Sequence, residues 1–365
     1  MNTAAANSDA DAPSLTHYGG WKAVLTDLIN GIDLSPEVAR AALRSVLSSG
    51  ATDAQLAGFI IALGMKGGSV LELTGLVDAM LDNAVPLAAP PGAIDIVGSG
   101  GAPVRQQHAL SVSTMASFVA AGAGAVICKH GSVAATSSSG SFDTLTALGL
   151  ATELGGPEVE RCIAEIGLGF AFAKLFHPAM RFAAPVRSEL GVPTTFNFLG
   201  PLSNPGRVKR QLLGVSDPVM APRVAGVLAA RGSERSLVVH GADRLDEITL
   251  TDLTRIYDVR DSEIVDEYQF DPASIGLERV NRAALFGGTP QQNADILRAI
   301  LSGSEIGPRA DIVCLNAGAG LVVAGLAADF AEGFEMAREA VADGRAAAKL
   351  KAAIALTNDL AAGVG

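Results

Sequence analysis

Residues 95–141 read DIVGSGGAPVRQQHALSVSTMASFVAAGAGAVICKHGSVAATSSSGS. Two short apolar runs, DIVG and AVICKHG, each end in a loop of small residues, and an Ala-rich helical stretch lies between them. The loop Gly98-Ser99-Gly100-Gly101 follows a predicted strand and precedes a helix expected to begin near Ser113-Thr114. Backbone N–H groups in such a place are exposed and attract anions, phosphates above all. A GSGG taken alone is equally a plain tight turn. The second loop, Lys129-His130-Gly131 and then Thr136 to Ser141, adds a cation and several hydroxyls at the end of the next run.

The same style continues along the chain. AIDIVG (93–98), GAVICKHG (124–131), QLLGVSD (211–217), RSLVVHG (235–241) and ADIVCLNAG (310–318) are short β-branched runs that alternate with helical stretches, and each is expected to be a strand. Apolar strands alternating with helices make a mostly parallel sheet covered on both faces, with ligands at the carboxyl ends of the strands. Both loops of the opening stretch lie at such ends.

Towards the N-terminus the pattern changes. WKAVLTDLINGI, ARAALRSVL and AQLAGFIIALGM carry apolar residues at helical spacing, Ser35-Pro36 supplies a cap followed by proline, and Thr52 to Gln55 matches a capping box. These are expected to form a small all-helical domain, residues 18–88, closed by the Pro-rich VPLAAPPGA and preceded by a disordered N-terminus, 1–17. HPAMRFAAPVRSELG (177–191) reads as a helix and TTFNFLGPLSNPG (194–206) as an extended, Pro-rich passage. Part of 177–206 is expected to complete the helical domain, leaving 89–365 as a larger α/β domain.

Composition narrows the function. Of 365 residues 49% are apolar, enough for a large core, and no apolar run is long enough to span a bilayer. A net charge of −11 disfavours nucleic acid and anionic membranes, which need clustered Lys and Arg. The N-terminus has neither the basic nor the apolar segment of a secretory signal, and Cys128, Cys162 and Cys314 form no CxxC pair, so the expectation is a cytoplasmic protein with reduced, buried thiols.

Among residues that could carry chemistry, Asp246-Glu247 follows RSLVVHG in a loop at a strand end, where paired carboxylates suit a hard cation such as Mg2+; a DE pair is otherwise a solvated charge. Arg187 can hold a planar carboxylate bidentately or pair with Glu189. His177 opens the same predicted helix, where packing is the default role.

Together, DIVGSGG, SVST before a helix, CKHG with SSSGSFDTLTALG, GFAFAKLFHPAMRFAAPVRSELGVPTTFNFLGPLSNP, and VVHGADRLDEITL, in this order, resemble the anthranilate phosphoribosyltransferase family over about Trp21 to Asp359. The resemblance implies a homodimer with a small helical domain and a larger α/β domain, binding 5-phosphoribosyl 1-pyrophosphate (PRPP) and Mg2+. It implies that Gly98, Ser99, Gly100, Gly101, Ser111, Ser113, Thr114, Lys129 and Ser137 bind PRPP, and that Ser113, Asp246 and Glu247 serve the metal. His130, Ser132, His177 and Arg187 are then the acceptor side, and no residue is assigned as a general base.

The chain departs from the family where the ligands bind. The family's GTGGD and NIST become GSGGA and SVST, with Ala102 for Asp, Ser111 for Asn and a longer intervening loop in which Arg105 or His108 could replace lost contacts. KHGNR becomes KHGSV, with Ser132 for Asn and Val133 for Arg. Loss of polar groups that pair with a substrate argues for a changed acceptor, so the acceptor expected is anthranilate or a related amino- or hydroxybenzoate. A nucleoside phosphorylase-like enzyme, which would not need the carboxylate pair, and a non-catalytic binding paralogue are the alternatives.

Overall fold

A computed structural model describes residues 13–100, 108–134 and 138–363. The chain divides into two compact units. One runs to Ala84 and takes in His177–Leu199; the other comprises Val85–Phe176 and the chain from Gly200.

The first unit is all helical. Its first four α-helices are α1 (Gly20–Ile29), α2 (Pro36–Leu47), α3 (Asp53–Lys66) and α4 (Val70–Asp82). Ser35 Oγ accepts from Val38 N–H at the start of α2, and Thr52 with Gln55 closes a capping box on α3, as their sequence predicts. Trp21, Phe59 and Phe196 form a run of edge-on rings, 5.6 and 6.1 Å between centroids, so the 177–199 segment supplies part of this unit's core. Of the expected N-terminal disorder, residues 1–12 lie outside the described residues; Leu15–Tyr18 form a 3-10 turn with Leu15 buried, so disorder does not extend to them.

The second unit is built on a seven-stranded sheet: β1 (Ile94–Gly98), β2 (Ile127–Gly131), β3 (Leu168–Phe172), β4 (Arg210–Gly214), β5 (Arg235–Gly241), β6 (Thr254–Arg260) and β7 (Glu263–Phe270). The order is β3-β2-β1-β4-β5-β6-β7, parallel from β3 through β5 and antiparallel at β6 and β7. The chain leaves β1 towards β2 on one side and leaves β4 towards β5 on the other. The crevice between the carboxyl ends of β1 and β4 is therefore a topological switch point, where ligands of open α/β sheets bind. A helix labelled α5 (Val112–Gly122), with nearly every residue buried, connects β1 to β2.

Three expectations are corrected. ADIVCLNAG is not a strand but part of the helix Pro308–Ala324, which opens with proline and is buried on nearly every side. An apolar run buried all round has no 3.6-residue signature to separate it from a buried strand. The 177–191 stretch is a 3-10 turn, Pro178–Phe182, followed by the helix Ala184–Leu190, because Pro185 reopens the helix. The 194–206 stretch is not extended but contains the short helical turns Thr195–Phe198 and Leu199–Leu202.

Candidate active site

The switch point is filled from a loop that follows β5. Gly98 and Gly214 end β1 and β4, and a Cβ on either would overlap Asp246, on its carboxylate and its carbonyl respectively. Glycine at both strand ends is what lets the Asp246-Glu247 loop enter the crevice. Gly100 N–H donates to Asp246 Oδ2 at 2.8 Å, and Ser99 N–H donates to the Gly214 carbonyl at 2.8 Å. Asp246 and Glu247 are both buried.

Opposite them, β2 and the first turn of α5 bring a cation and hydroxyls together. Lys129 is 1% exposed, and its Nζ donates to the Ile96 carbonyl at 2.5 Å and to Ser113 Oγ at 3.2 Å. Burial pushes its ammonium down to about 8, against the fields of Asp95 and Asp246. Thr114 Oγ1 is buried without a hydrogen-bond partner. A buried hydroxyl with no partner, a buried ammonium and backbone N–H groups at a helix start together form a site for an anion.

The same strand carries His130, whose backbone N–H donates to Asp95 Oδ1 at 3.3 Å and whose Nδ1 lies 3.1 Å from the Gly200 carbonyl. Asp95 is held on its other oxygen by Asn204 Nδ2 at 2.8 Å, and burial pushes its carboxyl up to about 6. Ser132 and Val133 follow on an exposed turn, pinned where the Ser132 carbonyl accepts from Phe142 N–H and Ser141 Oγ.

In this unit the structure links Gly98, Gly100, Ser113, Lys129 and Asp246, with Ser99 and Glu247 adjacent in the chain, Ser111 and Thr114 beside Ser113, and His130 and Ser132 following Lys129. Gly101, Ala102, Arg105 and Ser137 lie outside the described residues. His108 stacks on Phe286 at 4.6 Å. His177 and Arg187 belong to the helical unit. His177 is buried; Arg187 is half-buried, donates to Asn197 Oδ1 at 3.4 Å and pairs with no carboxylate among the described residues, Glu189 included. Burial pushes its guanidinium down.

Asp246, Glu247 and Ser113 offer hard oxygen donors, and the Asp246 carboxylate is held by the glycine cradle. That donor chemistry fits Mg2+, which takes one or two carboxylates and completes its shell with substrate phosphate and water.

Sequence reasoning missed Asp95, Asn204, Asn293 and Thr144, which support this site from behind. Each is a polar residue inside an otherwise ordinary strand, loop or helix, and only long-range contacts reveal it.

A helical bundle and an α/β unit that carries a paired-carboxylate loop at its switch point are the parts of a glycosyl transferase. Two family models agree, one described as the glycosyl transferase family helical bundle domain, over residues 22–84, and one as that family's a/b domain, over 90–347. Anthranilate phosphoribosyltransferase of Thermomicrobium roseum is 45% identical over 93% of this chain and 97% of its own length. The crystal structure of anthranilate phosphoribosyltransferase from Thermus thermophilus superposes with a TM-score of 0.86 at 39% identity, covering 92% of this chain and 99% of that one. The Saccharomyces cerevisiae enzyme in complex with PRPP and Mg gives 0.84 at 27% identity, covering 93% and 98%. The chain belongs to the anthranilate phosphoribosyltransferase family. The phosphorylase-like and non-catalytic alternatives are not favoured.

Proposed function

We propose that this protein transfers 5-phosphoribose from PRPP to anthranilate, or to a related amino- or hydroxybenzoate, with release of pyrophosphate. The observation that carries this reading is the Asp246-Glu247 loop seated at the switch point and bonded to the GSGG loop, with Lys129 and Ser113 opposite.

In the transfer, the bond from C1 of the ribose to the pyrophosphate oxygen breaks and a bond from C1 to the acceptor nitrogen or oxygen forms. Positive charge builds on the sugar and negative charge on the leaving group. The N–H groups of Gly98 to Gly101, the start of α5 with Ser111, Ser113 and Thr114, the Lys129 ammonium and Ser137 meet that negative charge. Among them Gly100, Ser111, Ser113 and Lys129 are fixed by the fold and need no reorganisation as it develops. Asp246 and Glu247, with Ser113, hold Mg2+, which when bound neutralises phosphate charge. No general base is assigned; the acceptor proton passes to solvent.

The residues we assign to the acceptor are Arg187, as partner of its carboxylate, and His177 in the helical unit, and His130 and Ser132 in the α/β unit. Ser132 and the exposed Val133 leave that turn less polar than the family's Asn-Arg, which is the reason for admitting acceptors other than anthranilate.

We further propose a homodimer and a cytoplasmic location. A homodimer would cover apolar side chains of the helical unit such as Ile29, Ile32 and Met65, each more than half exposed. The three cysteines are buried and unpaired, in keeping with a reducing cytoplasm, and no helix among the described residues is long and apolar enough to cross a membrane.

The deciding assay is pyrophosphate release from PRPP and Mg2+ across anthranilate, aminobenzoates and hydroxybenzoates. Turnover of anthranilate is expected, falling by about 100-fold or more in Asp246→Ala, a loss typical of removing a group that organises transition-state charge. Silence across the panel, or an Asp246→Ala variant as fast as the wild type, would sink the reading.

A further inference from the structure

Ser111 precedes α5, the helix whose first turn presents Ser113 and Thr114, and it stands where the family has Asn. Both of its polar groups are engaged within the protein. Its backbone N–H donates to Asn293 Oδ1 at 3.0 Å, and its hydroxyl lies 2.8 Å from Thr144 Oγ1. Asn293 and Thr144 are each 0% exposed and come from different helices, Pro290–Leu301 and Ser141–Ala147.

Each of these two residues joins segments distant in sequence. Asn293 Nδ2 donates to the Ala109 carbonyl at 2.9 Å and to the carbonyls of Gly288 and Thr289 at 3.1 and 3.2 Å. The amide therefore grips both the N–H and a carbonyl of the 109–111 segment. Gly287 and Gly288 N–H add bonds to the His108 and Ala109 carbonyls. Thr144 Oγ1 lies 3.0 Å from Ser139 Oγ, so a chain of three hydroxyls runs from Ser111 to the serine-rich loop. Ser138 closes the circuit: it accepts from Ala109 N–H at 3.3 Å, and its hydroxyl donates to the Gly288 carbonyl at 3.2 Å. The segment before α5 and the serine-rich loop are thus set in one register, directly by Ser138 and also by Asn293 and Thr144, which belong to neither.

We infer that Asn293 and Thr144 are positioning residues of the donor site: they fix Ser111, and through it the first turn of α5 and the 138–141 loop, in the geometry that binds PRPP. The inference rests on the proposed function above. A buried amide and a buried hydroxyl of this kind have no apolar substitute, because each removal leaves several partners unsatisfied. Ser111 then serves the donor by placement.

The test measures PRPP binding with Mg2+ by calorimetry, together with KM for PRPP, KM for anthranilate and kcat, in wild type, Asn293→Ala, Thr144→Val and Thr144→Ser. Losing buried hydrogen bonds that orient a site is expected to weaken PRPP about tenfold or more in Asn293→Ala and roughly threefold to tenfold in Thr144→Val. KM for anthranilate stays within about twofold, since the effect is confined to one substrate. Thr144→Ser, which keeps the hydroxyl, returns PRPP affinity towards wild type. Should Asn293→Ala not fold, the two Thr144 variants decide alone. Wild-type PRPP affinity in folded Thr144→Val, or an equal rise in both KM values, overturns the inference while leaving the proposed function intact. Failure of the wild type to bind PRPP at all overturns the proposed function and the inference with it.

Discussion

Lys129 is the residue at which the proposed donor site costs stability. Its ammonium is enclosed at 1% exposure, held by a carbonyl and a hydroxyl, and makes no ion pair with a carboxylate among the described residues. Burial disfavours the charged form, which is why its pKa falls to about 8, while an unfolded lysine titrates near 10.4. The sign follows directly. Below pH 8 the folded protein bears the full cost of the buried charge, and that cost is relieved as pH rises from about 8 towards 10.4. On the proposed function the requirement runs the other way, because an anionic donor needs the charge. We therefore expect kcat/KM for PRPP to fall as pH rises above about 8, with the corresponding limb in kcat displaced to higher pH once PRPP is bound. Lys129→Met is expected to raise the melting temperature of the free protein while cutting kcat/KM for PRPP by about 100-fold or more. A flat profile to about pH 10, or a variant that loses stability and keeps PRPP turnover, would contradict this account. The sequence alone placed Lys129 at a strand end beside a serine-rich loop. It did not reveal the burial, because that depends on α5 and on Asp95, which lie on other elements.

At the scale of elements, the site depends on how closely the 245–247 loop approaches β1 and β4. A methyl group at Gly214 would lie on the Asp246 carbonyl, a backbone atom that cannot swing away. Gly214→Ala is expected to push the carboxylate loop out of the crevice, raising the Mg2+ concentration for half-maximal activity by about tenfold and lowering stability by ~2 kcal/mol, the size of an overpacking effect. Gly64→Ala, within α3 where a Cβ meets nothing, is the matched control and should gain up to about 1 kcal/mol from helix propensity. Equal behaviour of the two variants would refute the close-approach argument. Elements with local signals were legible: Ser35 and the Thr52-Gln55 capping box start helices where their chemistry requires, and AIDIVG and RSLVVHG are strands. Elements defined by tertiary burial were not. The run at 310–318 is apolar on every face and is a helix, while LGFAF of β3 and the antiparallel pair β6 and β7 carried no expectation at all. The carboxylate pair was legible from its place after a strand, whereas Asn293 and Thr144 act on a loop far away in sequence.

For the whole molecule, the consequential fact is that neither unit is continuous in sequence. The helical unit is completed by His177–Leu199, and the aromatic run shows why this matters: Phe59 packs edge-on against Trp21 on one side and Phe196 on the other. Phe196 is 2% exposed, and Thr195 meets Gly68 at the end of α3. Residues 13–84 alone would leave one face of Phe59 open to water in a fragment already near the lower size limit for an independent core. Losing a buried phenyl ring costs about 3–5 kcal/mol, comparable with the whole stability of so small a unit. The fragment 13–84 is therefore expected to be weakly helical and to melt without cooperativity, and the same fragment joined to residues 177–199 through a flexible linker should gain helicity and a sigmoidal transition, read by circular dichroism. In the full-length protein, Phe196→Ala should lower the transition of the helical unit specifically, followed through the single tryptophan, Trp21, whose ring reports on that core. If the isolated fragment 13–84 melts cooperatively at the temperature of the joined one, the second segment contributes nothing to the fold. In that case Arg187 and His177, the proposed acceptor residues of this unit, would be carried by a segment dispensable for folding.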